Sequence, residues 1–323
     1  MSKISLVTGA GGFIGYAITK KLLEDPDNFV FGVDNFSRNK IDQAYKDLSN
    51  CSNFESIEID LSDSTQTLNL PEVNQIFHLA ALNGTSNFYE KPLEVIRSGT
   101  LPTLNLIERY KNSPDLRFIF SGTSESYAGA VEKFGFKVPT PENVPLVISD
   151  VSNPRWSYAS SKILSEVAIA SAYAQYGLSY SIVRFHNVYG PRMGYSHVIP
   201  QFFQRFMKSD FRIFGCEASR SFIHISDAVN ATLMIADSNQ SIQEIYHVGT
   251  EDEISIKELA LLIQAKCQTR GDLICLPAPM GSVNRRCPDT SKLSGIGFLP
   301  KFSLSQGLND FYSKEFKLNF GIE

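Results

Sequence analysis

The chain has little cysteine. Its five residues, Cys51, Cys216, Cys267, Cys275 and Cys287, are an odd number with no Cys-x-x-Cys pair. That excludes a disulfide framework or a zinc knuckle as its organising principle and points to a reducing cytoplasm. An apolar run of membrane-spanning length is also missing, as is a leader-like apolar stretch after Met-Ser-Lys. Neither a spanning helix nor a membrane partner is therefore expected. No charge dominates: the net charge is −4 and the basic residues are scattered, whereas a nucleic-acid partner needs a concentrated basic face. Anionic small molecules remain possible, because a few Arg and backbone N–H groups suffice for them. The five histidines form no catalytic or metal-binding constellation, so no metal is expected, and His78 in "HLAA" reads as a packed residue. Repeats and low-complexity segments are absent.

What is present is a core. Hydrophobic residues make up 43% of 323 positions, enough for one large α/β unit or two linked lobes. Short apolar strands alternate with helical patterns through the first half. Strands are expected at Ile4–Thr8, Phe29–Val33, Ser56–Ile59, Gln75–Ala80, Arg117–Gly122 and Tyr180–Phe185. Helices are expected at Tyr16–Leu23, Thr103–Tyr110 and Tyr158–Tyr176. This alternation predicts a Rossmann-like, doubly wound parallel sheet. Polar and Gly-rich stretches follow the strands, where such sheets bind ligands. Residues 1–185 read as the sheet domain, with a strand at Glu244–Val248 returning to it. Residues 186–323 read as a smaller substrate-facing lobe, interleaved with the first.

The segment "ISLVTGAGGFIGYAI" places Gly9, Gly12 and Gly15 between a strand and a helix. Glycine there permits a tight turn, close approach of backbone amides to a ligand, and close helix–sheet packing. The helix N-terminus favours a pyrophosphate. Alone, such a triplet is a weak signal. Here Asp34 closes the next strand 19 residues after Gly15, where an acid binds the adenosine ribose hydroxyls. A carboxylate repels a 2′-phosphate, so NAD is favoured over NADP, with Arg38 a mild counter-signal. Asp60 with Leu61 lies where adenine belongs, although a strand-end cap accounts for Asp60 equally well.

"YASSK" sets Tyr158 and Lys162 four residues apart on one helix face. A phenol has a pKa of about 10, and lowering it by about three units takes roughly 4 kcal/mol. A nearby ammonium and a nicotinamide cation can supply that in a dry cleft. A Tyr-x-x-x-Lys pair by itself is common and proves nothing. Here "FSGTSESYA" follows a sheet strand and contributes Thr123.

With these motifs the sequence resembles the extended short-chain dehydrogenase/reductases, specifically the NAD-dependent nucleotide-sugar epimerase/dehydratase family. The likeness runs through "TGAGGFIG", "VDNFS", "HLAA", "SGTSESYA", "YASSK", "RFHNVYGPR", "SRSFIHISDAV" and "RRCPDTSKL". It implies NAD held by Gly9, Gly12, Phe13, Ile14, Gly15, Asp34, Asn35, Ser37, Asp60, Leu61, Leu79, Ala80, Ala81, Tyr158 and Lys162. It implies a nucleoside diphosphate sugar held by Asn187 and Arg220 and Arg286 at the diphosphate, with Val198 and Ile199 at the base. Tyr158 would take the 4-hydroxyl proton, Thr123 would orient that oxygen, and Lys162 would hold the nicotinamide ribose. A homodimer through helices around Pro92–Tyr110 and Tyr158–Tyr176 is implied as well. "RFHNVYGPRMGYSHVIPQF" looks most like bacterial polysaccharide-pathway members. Two departures stand out: Gly99 lies where relatives carry an active-site Asn, with Pro102 at a usual Gly, and Ala128 replaces another Gly.

Glu125 divides the possible outcomes. A 4-epimerase, the leading reading, needs no carboxylate there. A 4,6-dehydratase or uronate decarboxylase would use Glu125, since a C4 ketone acidifies the C5 hydrogen. A net 4-dehydrogenase and a non-catalytic NAD-sensing protein are the remaining readings. The intact Thr123, Tyr158 and Lys162 set argues against the sensor.

Overall fold

Short apolar segments become strands where helices can cover both of their faces. A computed structural model describes residues 3–38, 41–278 and 284–316. Its strands are β1 (Ile4–Thr8), β2 (Phe29–Asp34), β3 (Phe54–Glu58), β4 (Gln75–His78), β5 (Arg117–Thr123), β6 (Tyr180–Phe185) and β7 (Val188–Tyr189). They continue as β8 (Arg212–Phe214), β9 (Ser219–Ser221), β10 (Ile223–His224), β11 (Glu244–Val248), β12 (Glu253–Ser255), β13 (Ile274–Leu276) and β14 (Arg285–Arg286). The helices are α1 (Phe13–Leu22), α2 (Gln43–Leu48), α3 (Ser64–Leu68), α4 (Thr85–Glu90), α5 (Pro92–Tyr110) and α6 (Ala128–Phe134). After them come α7 (Ser157–Tyr176), α8 (Val198–Met207), α9 (Ile225–Asp237), α10 (Ile256–Cys267), α11 (Ser291–Gly295) and α12 (Leu304–Phe311).

Seven strands form one parallel sheet in the order β11-β6-β5-β4-β1-β2-β3. The winding reverses between β1 and β4, and such a switch point opens a crevice at the carboxyl ends of the strands. Thr8 is in register with both Val33 and His78, so the loops after β1, β2 and β4 leave the sheet side by side. Strands β4 and β6 are buried along their whole length, so their polar residues are satisfied inside the fold, as His78 is by Thr8 and Thr103 and Arg184 by Glu166. This is the Rossmann-like architecture expected from the sequence.

The chain divides into two compact units. One comprises Met1–Ser126, Ile148–Arg184 and Thr232–Tyr246; the other comprises Tyr127–Val147, Phe185–Ala231 and His247–Glu323. The core of the first is built from Leu6, Val33, Ile76, Leu106, Phe118, Phe120, Ile169 and Ile182, among others. In the second, Phe203 packs against Phe311 and Phe316, all three fully buried. This unit also contains the small sheets β12-β9-β14, β10-β7 and β13-β8.

Two expectations need correction. First, α5 starts at Pro92 rather than near Thr103 and runs through Pro102. An interior proline costs a helix a hydrogen bond, but α5 is held against α7. A Cβ on Gly99 would lie 2.3 Å from Ser161 Oγ, and Ser165 Oγ donates to the Gly99 carbonyl at 2.9 Å. At Gly99, α5 and α7 therefore meet too closely for a side chain unless Ser161 moves. Second, the cysteines are not all thiols. Cys216 and Cys275 form a disulfide, with Cα atoms 5.8 Å apart. The parallel pairing of β8 with β13 brings them together across 59 residues, a proximity that spacing along the chain does not reveal. Cys51, Cys267 and Cys287 remain free.

Candidate active site

The turn after β1 is shaped by contacts that tolerate no side chain. Gly9 has φ +69°, and a Cβ there would stand 3.0 Å from the Ala80 amide nitrogen. A Cβ on Gly15 would lie 2.1 Å from the Gly9 carbonyl oxygen, so α1 leaves the sheet at the closest possible approach. Gly12 caps α1 with extended backbone and no side-chain acceptor. The first-turn amides, those of Phe13 and Ile14 included, thus face outward at the positive end of a ten-residue helix. A cradle of backbone amides with no Cβ in it fits a dinucleotide pyrophosphate.

The neighbouring loops are tied to this turn by a residue the sequence reading passed over. Thr8 Oγ1 accepts the amides of Leu79 (3.0 Å) and Ala80 (3.1 Å) and sits 2.7 Å from His78 Nδ1. With both lone pairs used, the hydroxyl proton goes to Nδ1, and Nε2–H donates to Thr103 Oγ1 at 3.0 Å. His78 is therefore neutral and packed. Burial, reinforced by the charge of Lys162, pulls its pKa down to about 3.

The Asp34 carboxylate accepts the amides of Gly11 and Phe36, both at 2.9 Å. It braces the glycine turn from the end of β2, and lone pairs remain for a ribose. Asn35 Oδ1 accepts the Ser37 amide and hydroxyl on an exposed loop. Asp60 closes a local turn by accepting the Ser62 amide. The Leu61 side chain is buried in the core, and its carbonyl accepts from Thr67 and Asn105.

Thr123 ends β5, and Tyr158 and Lys162 occupy the first turns of α7. The chain brings these three together at the end of β5: the Lys162 ammonium lies 5.9 Å from the centroid of the Tyr158 ring, and Thr123 favours ionisation of the Tyr158 phenol. Lys162 Nζ donates to the Ser121 carbonyl at 2.8 Å. Burial lowers the Lys162 pKa to about 8, and Glu166, one helical turn on, opposes that shift. Glu166 is itself paired with buried Arg184 at 2.7 Å. The Phe88 ring stacks on Tyr158, with centroids 5.2 Å apart and planes 12° apart. No spacing rule pointed to Phe88, because it lies on a separate short helix.

The electrostatics of Tyr158 differ from the expectation of a depressed pKa. In the protein alone its pKa is raised, by burial first and by the charge of Glu125 second. Arg38 and Thr123 pull the other way. The resting phenol is therefore protonated, and its ionisation requires added positive charge. Glu125 Oε2 lies 3.4 Å from Arg155 Nη2, a partner the sequence did not suggest.

In the second unit, β14 runs parallel to β9 with Arg286 in register with Arg220, so the two side chains leave the same face of one small sheet. Arg220 donates to the carbonyls of Ser219 (2.6 Å) and Asn284 (3.3 Å). Arg286 is buried, whereas its neighbour Arg285 makes an exposed ion pair with Glu253 at 2.7 Å. Asn187 has φ +39° and donates to the Ser221 carbonyl at 2.8 Å. Val198 and Ile199 open α8, with Ile199 fully buried.

Comparison with known proteins gives concordant results. The family model described as the NAD dependent epimerase/dehydratase family matches residues 5–249. A UDP-N-acetyl-alpha-D-glucosaminuronate decarboxylase of Bacillus cytotoxicus is 33% identical, over 96% of this chain and 97% of that relative. A putative UDP-glucose 4-epimerase of Methanocaldococcus jannaschii is 30% identical, over 94% of this chain and 95% of its own. Among solved structures, the UDP-glucose 4-epimerase of Thermotoga maritima with UDP-glucose superposes with a TM-score of 0.86 at 28% identity, covering 98% of this chain and 99% of that one.

Proposed function

Since the chain belongs to the NAD-dependent epimerase/dehydratase family, we propose that it is a UDP-sugar 4-epimerase in which Tyr158 exchanges the proton of the sugar 4-hydroxyl. It is an NAD-dependent nucleotide-sugar enzyme, and bound NAD supplies the hydride acceptor and, as a cation, the positive charge that the resting phenol needs. The amides after Gly12 hold the pyrophosphate, and Asp34 meets the adenosine ribose. Asn35, Ser37, Asp60, Leu61 and Leu79–Ala81 line the same crevice. Lys162, anchored on Ser121, holds the nicotinamide ribose. Thr123 orients the sugar O4, and Tyr158 takes its proton as the C4–H bond breaks. Once the keto sugar has turned over, return of the hydride to the other face of C4 together with return of the proton from Tyr158 to O4 completes epimerisation. In the second unit, Asn187, Arg220 and Arg286 take the diphosphate, and the Val198–Ile199 backbone meets the uracil. A guanidinium fork suits a phosphate better than an ammonium does.

The observation that carries this reading is the buried Tyr158 ring, its centroid 5.9 Å from a buried, backbone-anchored lysine, at the end of the strand that carries Thr123. Glu125 bears on the outcome. The Glu125 carboxylate is engaged with Arg155 rather than left to a C5 hydrogen, which disfavours dehydration. Decarboxylation of a UDP-uronate is the second reading; contrary to the expectation that it would use Glu125, it needs no C5 base, since a 4-keto uronate is a β-keto acid that loses carbon dioxide directly. The Bacillus cytotoxicus relative favours it. A homodimer belongs to the proposal, supported by apolar side chains left exposed on α5 (Leu93, Leu101, Leu104) and α7 (Leu164, Val167). No described helix is long and apolar enough to cross a membrane. A cytoplasmic location belongs to the proposal as well, in which case Cys216–Cys275 has to form against a reducing pool.

The test is product mass after incubation with UDP-glucose, UDP-N-acetylglucosamine and UDP-glucuronate in heavy water. Unchanged mass with inverted C4 supports the epimerase, and loss of carbon dioxide supports the second reading. Loss of water with deuterium uptake, or accumulation of NADH with a released ketone, overturns both.

A further inference from the structure

Arg155 is three residues ahead of Tyr158, in a single 3-10 turn (Pro154–Trp156) that leads directly into α7. Its amide is fixed by the Asn153 side chain at 3.1 Å, and its guanidinium lies 5.2 Å from the centroid of the Trp156 ring. These two contacts hold a long side chain against the end of β5. There its Nη2 is 3.4 Å from Glu125 Oε2, and both side chains are mostly buried, with 14% and 27% exposed. The Glu125 amide in turn donates to Thr123 Oγ1 at 3.3 Å. Lys162, bonded to the Ser121 carbonyl at 2.8 Å and 5.9 Å from the centroid of the Tyr158 ring, sets the phenol at this same end of β5. Among the described residues, the other charged groups acting there are Arg38, from the loop after β2, and Lys162, from the phenol's own helix. Phe88, the ring stacked on it, is neutral.

We propose that Arg155 is a positioning residue, whose guanidinium draws the Glu125 carboxylate toward itself and cancels its charge beside Tyr158. Among the described residues, Glu125 is the negative charge that acts on Tyr158, and it opposes formation of the phenolate. A cation held on the far side of that carboxylate relieves the opposition without touching the substrate. Arg155 belongs to neither the cofactor-binding nor the sugar-binding set. The proposal rests on the reading of Tyr158 as the C4 proton acceptor.

The test compares R155M, R155K, E125Q and the E125Q/R155M double variant, each loaded with NAD. Two quantities are read: kcat against pH on the active UDP-sugar, and tyrosinate absorbance against pH with Y158F as the blank. In R155M the acid limb and the Tyr158 titration move together toward higher pH. The cost at neutral pH is about threefold to tenfold, a reasonable scale for one partly screened charge, and both the alkaline limb set by Lys162 and the KM are kept. R155K restores the wild-type profile, and R155M adds no shift in the E125Q background. Equal loss at every pH, or an undiminished shift in the E125Q background, overturns the proposal by making Arg155 a merely structural residue. If the wild-type protein turns over no UDP-sugar, the proposed function fails. The absorbance titration, which needs no turnover, still decides whether Arg155 acts on Tyr158 through Glu125.

Discussion

The two units set their polar groups in different ways. In the first, the groups that matter are anchored to backbone close by in the fold. Lys162 hangs from the Ser121 carbonyl, Thr8 gathers the Leu79 and Ala80 amides, and Asp34 braces the Gly11 amide. In the second, placement comes from register between distant segments. Arg286 is paired with Arg220 across β14 and β9, and Cys275 is brought to Cys216 across β13 and β8. The first arrangement leaves short motifs in the sequence, and the second leaves isolated residues.

The comparison predicts that damage in the first unit falls on chemistry and damage in the second on affinity. The largest effect is expected from Tyr158→Phe, which should lose about 10²-fold or more in kcat, the scale of a positioned proton-transfer group, while still retaining NAD on gel filtration. Near-normal turnover would remove Tyr158 from the mechanism. Next comes Arg286→Met, which should raise KM for the UDP-sugar about tenfold or more, as expected for a lost charge-assisted hydrogen bond. Its kcat at saturation should barely change. A fall in kcat with unchanged KM would erase the contrast between the units.

The same contrast explains what could be read from the chain. The glycine turn, Asp34 and the Tyr158–Lys162 pair were legible because each motif lies within one strand–turn–helix step, where local geometry dictates residue type. The sheet was legible from its apolar period. Phe88 was not, because stacking on Tyr158 depends on how α4 settles over α7. Arg155 was hidden because its partner is 30 residues away. The disulfide was misread for the same reason as Phe88, since only strand pairing reveals it. The Gly99 departure was visible, but the close approach of α5 to α7 there was not.

Two smaller effects sharpen the account of the first unit. The Lys162 pKa is lowered to about 8, so its ammonium is lost as pH rises through that value. The pH profile of kcat should show an alkaline limb there, and a profile flat to about pH 10, the ordinary lysine range, would contradict the anchoring argument. The His78 pKa is lowered from 6.5 to about 3, so the unfolded chain takes up its proton first. The stabilisation is intact above about pH 6.5 and is lost progressively as pH falls toward 3. Thermal melts of wild type and His78→Gln should therefore differ less at pH 4 than at pH 7. A constant difference would mean that His78 is not held neutral.

The most direct test of the central claim uses a UDP-sugar carrying deuterium at C4. In single turnover the label should pass from C4 to the nicotinamide ring of bound NAD in the wild-type enzyme, with slowed transfer relative to unlabelled sugar, and should remain on the sugar in Tyr158→Phe. Release of the C4 deuterium to solvent, or equal transfer in both proteins, would contradict it.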